Sequence, residues 1–215
     1  MEKLVIFDLD GTILDTLKDI AFYSNEMLEH FGYPLRTDKE IMQFIGNGAK
    51  KLVQRCLPDD IDEQRLEECL NYYNDIYTKS GSVRTCVFDG MKEVCLTLKQ
   101  RGYKLAILTN KPQETTDKVH ERYMADMGFD MVVGQRANKK IKPDPTEALK
   151  IAEKLNVSVD NTYFVGDGET DVETAINAKM NGVSVLWGYR SKTQLEKAGA
   201  KAFANKPSDL LKLVK

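Results

Sequence analysis

The chain has 215 residues, 42% of them hydrophobic and 30% charged, with a formal net charge of −2 and a pI near 5.8. That is the composition of a globular protein with room for one large domain, or one domain plus an insert, and it lacks both the basic surplus of a nucleic-acid binder and an apolar run long enough to span a membrane. Met1-Glu2-Lys3 offers no basic or apolar leader, so a cytoplasmic protein is expected, and Cys56, Cys69, Cys86 and Cys95 form no CxxC pair and have no histidine partner at metal spacing, so they read as reduced, mostly packed thiols.

Leu4-Val5-Ile6-Phe7 is apolar without alternation, the pattern of a buried parallel strand, and it stops at Asp8-Leu9-Asp10-Gly11-Thr12. Residues two apart on a strand point to the same side, so Asp8 and Asp10 can face one site. Two like charges that close call for a cation or a shared proton, which suits a hard, oxygen-seeking ion such as Mg2+. The other reading is a strand exit in which Gly11 turns the chain and Thr12 or Asp15 caps the next helix.

Leu14, Leu17, Ala21, Tyr23, Met27, Leu28 and Phe31 then recur at helical spacing up to Gly32. Thr37-Asp38-Lys39-Glu40 is a capped start for a second helix, broken by Gly46-Asn47-Gly48. A third helix carries Leu52, Val53 and Cys56, and Pro58-Asp59-Asp60 opens a fourth that runs to about Lys79. The span 15–83 therefore reads as four helices without a strand, inserted between two α/β segments, 1–14 and 84–215. His30 and His120 stand alone on helical stretches, which favours surface or capping roles.

From Asp89-Gly90 onward helix and strand alternate. A helix ends at Gly102, the strand 104–108 leads to Thr109-Asn110-Lys111-Pro112, and a helix through Val119 and Met124 precedes a short strand at 131–133. Asp144 is the expected cap of a helix with Pro145 at its first position and Glu147 at its third. The strand 162–165 enters Gly166-Asp167-Gly168-Glu169-Thr170-Asp171, and a helix and the strand 183–187 follow. Repeated strand and helix units predict a doubly wound, Rossmann-like parallel sheet whose ligands bind beyond the carboxyl ends of the strands. Four polar signals fall at such ends: Asp8 with Asp10, Thr109 with Asn110, Lys142 before Pro143, and Asp167 with Asp171. Each has a modest reading as a cap, a turn or a solvated lysine; together they predict one convergent site.

The DLDGT segment, the strand ending in Thr109, the Lys142-Pro143 step and GDGETD resemble the four signature motifs of the haloacid dehalogenase-like hydrolases. FIGNGAKKLV, TNKP and VLWGYR resemble its phosphoglycolate phosphatase-like branch, and the helical insert resembles that superfamily's small four-helix cap domain. The resemblance implies a phosphatase in which Asp8 is the nucleophile and Asp10 the general acid and base. It implies Mg2+ held by the Asp8 carboxylate, the Asp10 backbone carbonyl and the Asp167 carboxylate, with Lys142, Thr109 and Asn110 against the phosphate and Asp171 orienting Lys142 or a metal-bound water. It implies that Gly46-Asn47-Gly48 closes over a small phosphorylated metabolite; of Lys50, Lys51 and Arg55, at least two are expected on a solvated face. The second aspartate favours phosphoryl transfer over dehalogenation, because halide needs no proton to leave. Gly168, where Ser or Thr is common, and Asp89, where proline is usual, depart from the pattern. A phosphosugar mutase, a pyrophosphatase and a non-catalytic phosphate sensor are the competing readings, and the sequence carries no signal of oligomeric state.

Overall fold

Alternate residues of the first strand feed two different cores. In the computed structural model, which describes residues 2–80, 82–137 and 139–215, Val5 and Phe7 of β1 (Lys3–Phe7) pack in one apolar cluster, and Leu4 and Ile6 pack in another. All four are fully buried. A strand covered on both faces has no polar side to present, which is why its sequence shows no alternation. Burying side chains of this size contributes roughly 1.5–3 kcal/mol each.

The elements in chain order are β1, β2 (Leu14–Asp15), α1 (Leu17–His30), α2 (Asp38–Phe44), α3 (Ala49–Cys56), α4 (Glu63–Lys79), β3 (Cys86–Val87), α5 (Met91–Gln100), β4 (Tyr103–Pro112), α6 (Gln113–Tyr123) and β5 (Met131–Gln135). There follow α7 (Thr146–Lys154), β6 (Thr162–Gly166), α8 (Glu169–Asn177), β7 (Asn181–Val185), α9 (Lys192–Lys197), β8 (Phe203–Ala204) and α10 (Leu210–Leu213). The main sheet has the order β5-β4-β1-β6-β7-β8 and every pairing in it is parallel. The predicted doubly wound α/β architecture is therefore present. The order reverses at β1, so β1 lies at the switch point, flanked by β4 and β6.

Helices α1 to α4 pack around their own cluster, which includes Met27, Leu28, Ile41, Val53, Cys69 and Tyr73 and takes in Tyr189 from the far end of the chain. The Thr37 cap of α2 is as expected: its hydroxyl accepts from the Glu40 backbone N–H, and the Glu40 carboxylate accepts from the Thr37 N–H at 2.8 Å.

Several boundaries differ from the sequence reading. Leu14 belongs not to α1 but to β2, which pairs antiparallel with β3 where the chain enters and leaves the helical layer; two-residue strands are too short to show a period. Helix α4 starts not at Pro58 but after Asp62, whose carboxylate accepts from the Arg65 N–H at 2.8 Å. Helix α7 starts one residue later than expected, although the Asp144 carboxylate still accepts from the Thr146 N–H at 3.0 Å. Strand β4 continues past Leu108 to Pro112, with a register shift against β5 between those residues. An irregularity of this kind re-aims side chains at the end of a strand, and here it falls on Thr109, Asn110 and Lys111. Strand β7 ends at Val185, two residues before the expected Trp187.

Candidate active site

The loops beyond β1, β4 and β6 converge on one cavity of about 340 Å³, closed from above by residues of the helical layer. Asp8, Asp10, Thr109, Asn110, Asp167 and Asp171 line its floor, and Gly46, Asn47, Gly48, Leu52, Tyr73 and Tyr77 are among the residues opposite. Lys142 is not on the wall of the cavity but directly behind it, with its ammonium 2.7 Å from Asp8 Oδ1 and 2.6 Å from Asp171 Oδ1. The strand-end signals of β1, β4 and β6 thus meet, whereas Lys142 does not stand at a strand end: it reaches the site from the loop after β5, seven residues past Gln135. The Lys142–Pro143 peptide bond is cis.

Two acids, Asp8 and Asp171, flank Lys142, and a third, Asp167, stands beside them. Asp8, Asp167 and Asp171 are all buried, and each offers a carboxylate oxygen within 4.8 Å of the others. Burial, and then the Asp171 charge, push Asp8 well above the ordinary carboxylate range, with Lys142 opposing. Burial followed by Asp171 pushes Asp167 up to about 7. For Lys142 burial works against the charge, but the Asp171 and Asp8 carboxylates outweigh it and hold the ammonium above its usual range. Asp8 Oδ1 is paired with the Lys142 ammonium at 2.7 Å. Three buried carboxylates beside a single lysine are an under-compensated set of hard oxygen donors, which fits a small divalent cation such as Mg2+.

The cluster holds both carboxylates expected to bind a metal, Asp8 and Asp167, and adds Asp171. Asp171 stands among them, although Lys142 and the Gly168 N–H (2.9 Å) both engage it. The Asp10 side chain does not belong to the group; it faces Lys111, whose ammonium is 3.1 Å from Asp10 Oδ1 and 3.0 Å from the Tyr77 hydroxyl.

Asp167 is fixed from several sides. Its carboxylate accepts from the Thr12 hydroxyl at 3.0 Å and from the Tyr189 N–H at 2.8 Å. Gly11, at φ 82°, and Gly188 pass so close that a Cβ on either would overlap Asp167. The Thr12 carbonyl in turn accepts from the Trp187 indole at 3.0 Å. Thr12 therefore acts as a brace for Asp167 and not as a cap for α1, whose capping position is Thr16.

The Asn110 side chain is spent on structure. Its amide donates to the carbonyls of Gly46 (3.0 Å) and Lys142 (3.1 Å), and its oxygen accepts from the Lys142 N–H at 2.9 Å. It ties the Gly46-Asn47-Gly48 turn to the loop that carries Lys142. Thr109 is buried beside the cavity and its hydroxyl accepts from the Lys111 N–H at 3.2 Å. Of the three cations after that turn, Lys50 and Lys51 are exposed and bonded to Glu63 and Gln54, and Arg55 lines the cavity while donating to the Phe44 carbonyl.

A second tie comes from Arg190. Its guanidinium donates to the carbonyls of Met42 (2.9 Å), Gln43 (3.2 Å) and Ile45 (2.7 Å) at the end of α2, and to Glu169 at 2.8 Å. The residues that sequence reasoning missed are Thr12, Tyr77, Lys111, Tyr189 and Arg190. Lys111 sits in a noticed segment, TNKP. Thr12 sits in DLDGT and Tyr189 and Arg190 in VLWGYR, also noticed, but their roles were hidden because their partners lie far away along the chain, and Tyr77 had no local signal.

A profile described as haloacid dehalogenase-like hydrolase matches residues 5–185. The phosphoglycolate phosphatase of Vibrio parahaemolyticus is 29% identical over 99% of this chain and 96% of its own length, and that of Aquifex aeolicus is 30% identical over the same shares. The solved structure of a predicted phosphoglycolate phosphatase from Haemophilus somnus 129pt superposes with a TM-score of 0.91 at 27% identity, over 99% of this chain and 98% of that one. Among the described residues no helix is long and apolar enough to cross a membrane. The chain belongs to the haloacid dehalogenase-like hydrolase family.

Proposed function

We propose that this protein is a Mg2+-dependent phosphatase that hydrolyses small phosphomonoesters through an aspartyl-phosphate on Asp8, with phosphoglycolate as the first substrate to test. The observation that carries this reading is Asp8 itself: a buried carboxylate at the cavity floor, paired with Lys142 at 2.7 Å and clustered with Asp167 and Asp171. The substrate choice rests on relatives named phosphoglycolate phosphatase.

In this reading residues 1–14 and 84–215 form the catalytic core and 15–83 a cap. Asp8 and Asp167, with the backbone carbonyl of Asp10, hold Mg2+, and Asp171 keeps Lys142 in place. The ion supplies charge neutralisation that lets an anionic nucleophile meet an anionic phosphate. An Asp8 oxygen attacks phosphorus and the bond from phosphorus to the leaving oxygen breaks. Asp10 gives its proton to that oxygen, then takes one from the water that attacks phosphorus, and phosphate departs from the regenerated Asp8 carboxylate. Lys142 and Thr109 oppose the charge on the transferring group. The enclosing helices exclude water and large substrates.

Turnover of p-nitrophenyl phosphate that stops with EDTA, returns with Mg2+ and is absent in Asp8→Asn is the expected result. Hydrolysis persisting in Asp8→Asn would remove the nucleophile assignment.

A further inference from the structure

We propose that Lys111 is a positioning residue for Asp10, anchored by the Tyr77 hydroxyl across the cavity. The inference rests on the reading of Asp10 as acid and base. Lys111 is buried, and an ammonium taken out of water needs partners. Among the described residues its ammonium has two hydrogen-bond acceptors, Asp10 Oδ1 and the Tyr77 hydroxyl, and lies 4.5 Å from the centre of the Tyr77 ring. Those acceptors belong to opposite walls: Asp10 follows β1, and Tyr77 is on α4.

The anchor is itself rigid. The Tyr77 ring meets Tyr23 edge-on at 5.4 Å and stacks with Tyr73 at 5.6 Å, so its hydroxyl has a fixed place. The irregular end of β4 brings Lys111 between that hydroxyl and Asp10.

The consequence is chemical. The ammonium held against Oδ1 engages that oxygen and leaves Oδ2 as the one not bonded to Lys111. Oδ2 accepts no hydrogen bond from the described residues, and Asp10 lines the cavity. Lys111 thus decides which oxygen exchanges the proton and holds the carboxylate still while it does so, a form of orientation whose loss costs roughly ten- to a hundredfold.

The test uses phenyl phosphate, whose leaving group needs a proton, and p-nitrophenyl phosphate, whose leaving group does not. Lys111→Met is expected to lower kcat on phenyl phosphate roughly ten- to a hundredfold with little change in KM, and to leave the single-turnover burst of p-nitrophenolate nearly intact. Tyr77→Phe, which removes one hydroxyl and keeps the ring packing, shifts kcat in the same direction by less and guards against a Lys111→Met protein that fails to fold. The double variant with Asp10→Asn is expected to be no slower than Asp10→Asn alone. Losses that multiply in the double variant, or a Lys111→Met defect confined to KM, overturn the proposal and leave the Asp10 reading standing. Full phenyl phosphate turnover by Asp10→Asn, or no turnover of either ester by the wild-type protein, overturns the catalytic reading first and this inference with it.

Discussion

The Lys142 ammonium lies 2.7 Å from Asp8 Oδ1 and is itself almost wholly buried. Asp171 holds it from the other side at 2.6 Å, so one cation balances two carboxylates while Asp167 stands within reach of both.

Removing that cation has a pH-dependent cost. Lys142→Met leaves buried acids without their partner, a change that typically destabilises by about 3–5 kcal/mol. The acids respond by binding protons more tightly in the folded than in the unfolded chain. Their unfavourable contribution is therefore small at low pH and grows as the pH rises toward the raised folded pKa values. Urea unfolding of Lys142→Met is expected to show a larger deficit against wild type at pH 7.5 than at pH 5. A deficit that does not vary with pH would show that the lysine matters for packing alone.

Mg2+ and protons are expected to compete at Asp167. Burial and then the Asp171 charge push it up to about 7, above the ordinary value of 3.8, so the stability it lends is full below that ordinary value and is lost as the pH rises through about 7. A bound cation removes the penalty on the charged form, so Mg2+ should raise the melting temperature more at pH 8 than at pH 6. Thermal melts with and without Mg2+ at the two pH values measure this. Asp167→Asn is expected to lose most of the increment, and an increment equal at both pH values would argue against binding at these acids.

Arg190 closes the roof of the site, and the shape of its head group matters. Its fork satisfies three carbonyls at the end of α2 as well as Glu169, a pattern that a lysine point charge does not reproduce. Arg190→Lys and Arg190→Ala are both expected to raise KM and to speed amide exchange in α2 by tenfold or more, since freeing a buried charge-assisted contact costs about 1.5–3 kcal/mol. Exchange unaltered in α2 would show that Asn110 alone holds the layer down.

Thiol reactivity separates the four cysteines. Burial pushes Cys56 up to about 11 and Cys95 up to about 12, and Cys69 is buried and also raised by desolvation. A thiol whose pKa is raised holds less thiolate at a given pH, and thiolate is the reactive form. At pH 8 the native protein is expected to release one fast equivalent from a disulfide reagent, from exposed Cys86, and four after denaturation. Loss of the fast phase in Cys86→Ser would confirm its source.

What the sequence showed and what it hid follow from the range of the forces involved. Leu4 to Phe7 announced a strand buried on both faces because burial acts residue by residue, and Thr37 with Glu40 announced a helix start because both partners lie within one turn. The parallel sheet then brought Asp8, Thr109 and Asp167 together with no need to know any side-chain contact, while Lys142 arrives on a loop past β5. Lys111, Tyr77, Thr12 and Arg190 stayed hidden because each is defined by a partner on another element. Asn110 illustrates the limit from the other direction. Its place beside the phosphate motif was legible, yet its side chain is consumed by Gly46 and Lys142, which no spacing rule reveals.

Gly11 offers a substitution with an internal control. It adopts φ 82°, and a Cβ there would run into the Asp167 carboxylate. Gly102 has nearly the same φ, 80°, but a Cβ there would meet nothing within 4 Å. Both Gly→Ala changes carry the left-handed backbone cost of roughly 1–2 kcal/mol. Only Gly11→Ala also displaces Asp167. Gly102→Ala is therefore expected to lower the unfolding free energy and leave kcat and the Mg2+ requirement alone. Gly11→Ala is expected to lose more stability and to need at least tenfold more Mg2+ for half-maximal rate, the scale of loss seen when a group supporting a metal site is disturbed. Equal Mg2+ requirements in the two variants would mean that Asp167 does not help to hold the ion.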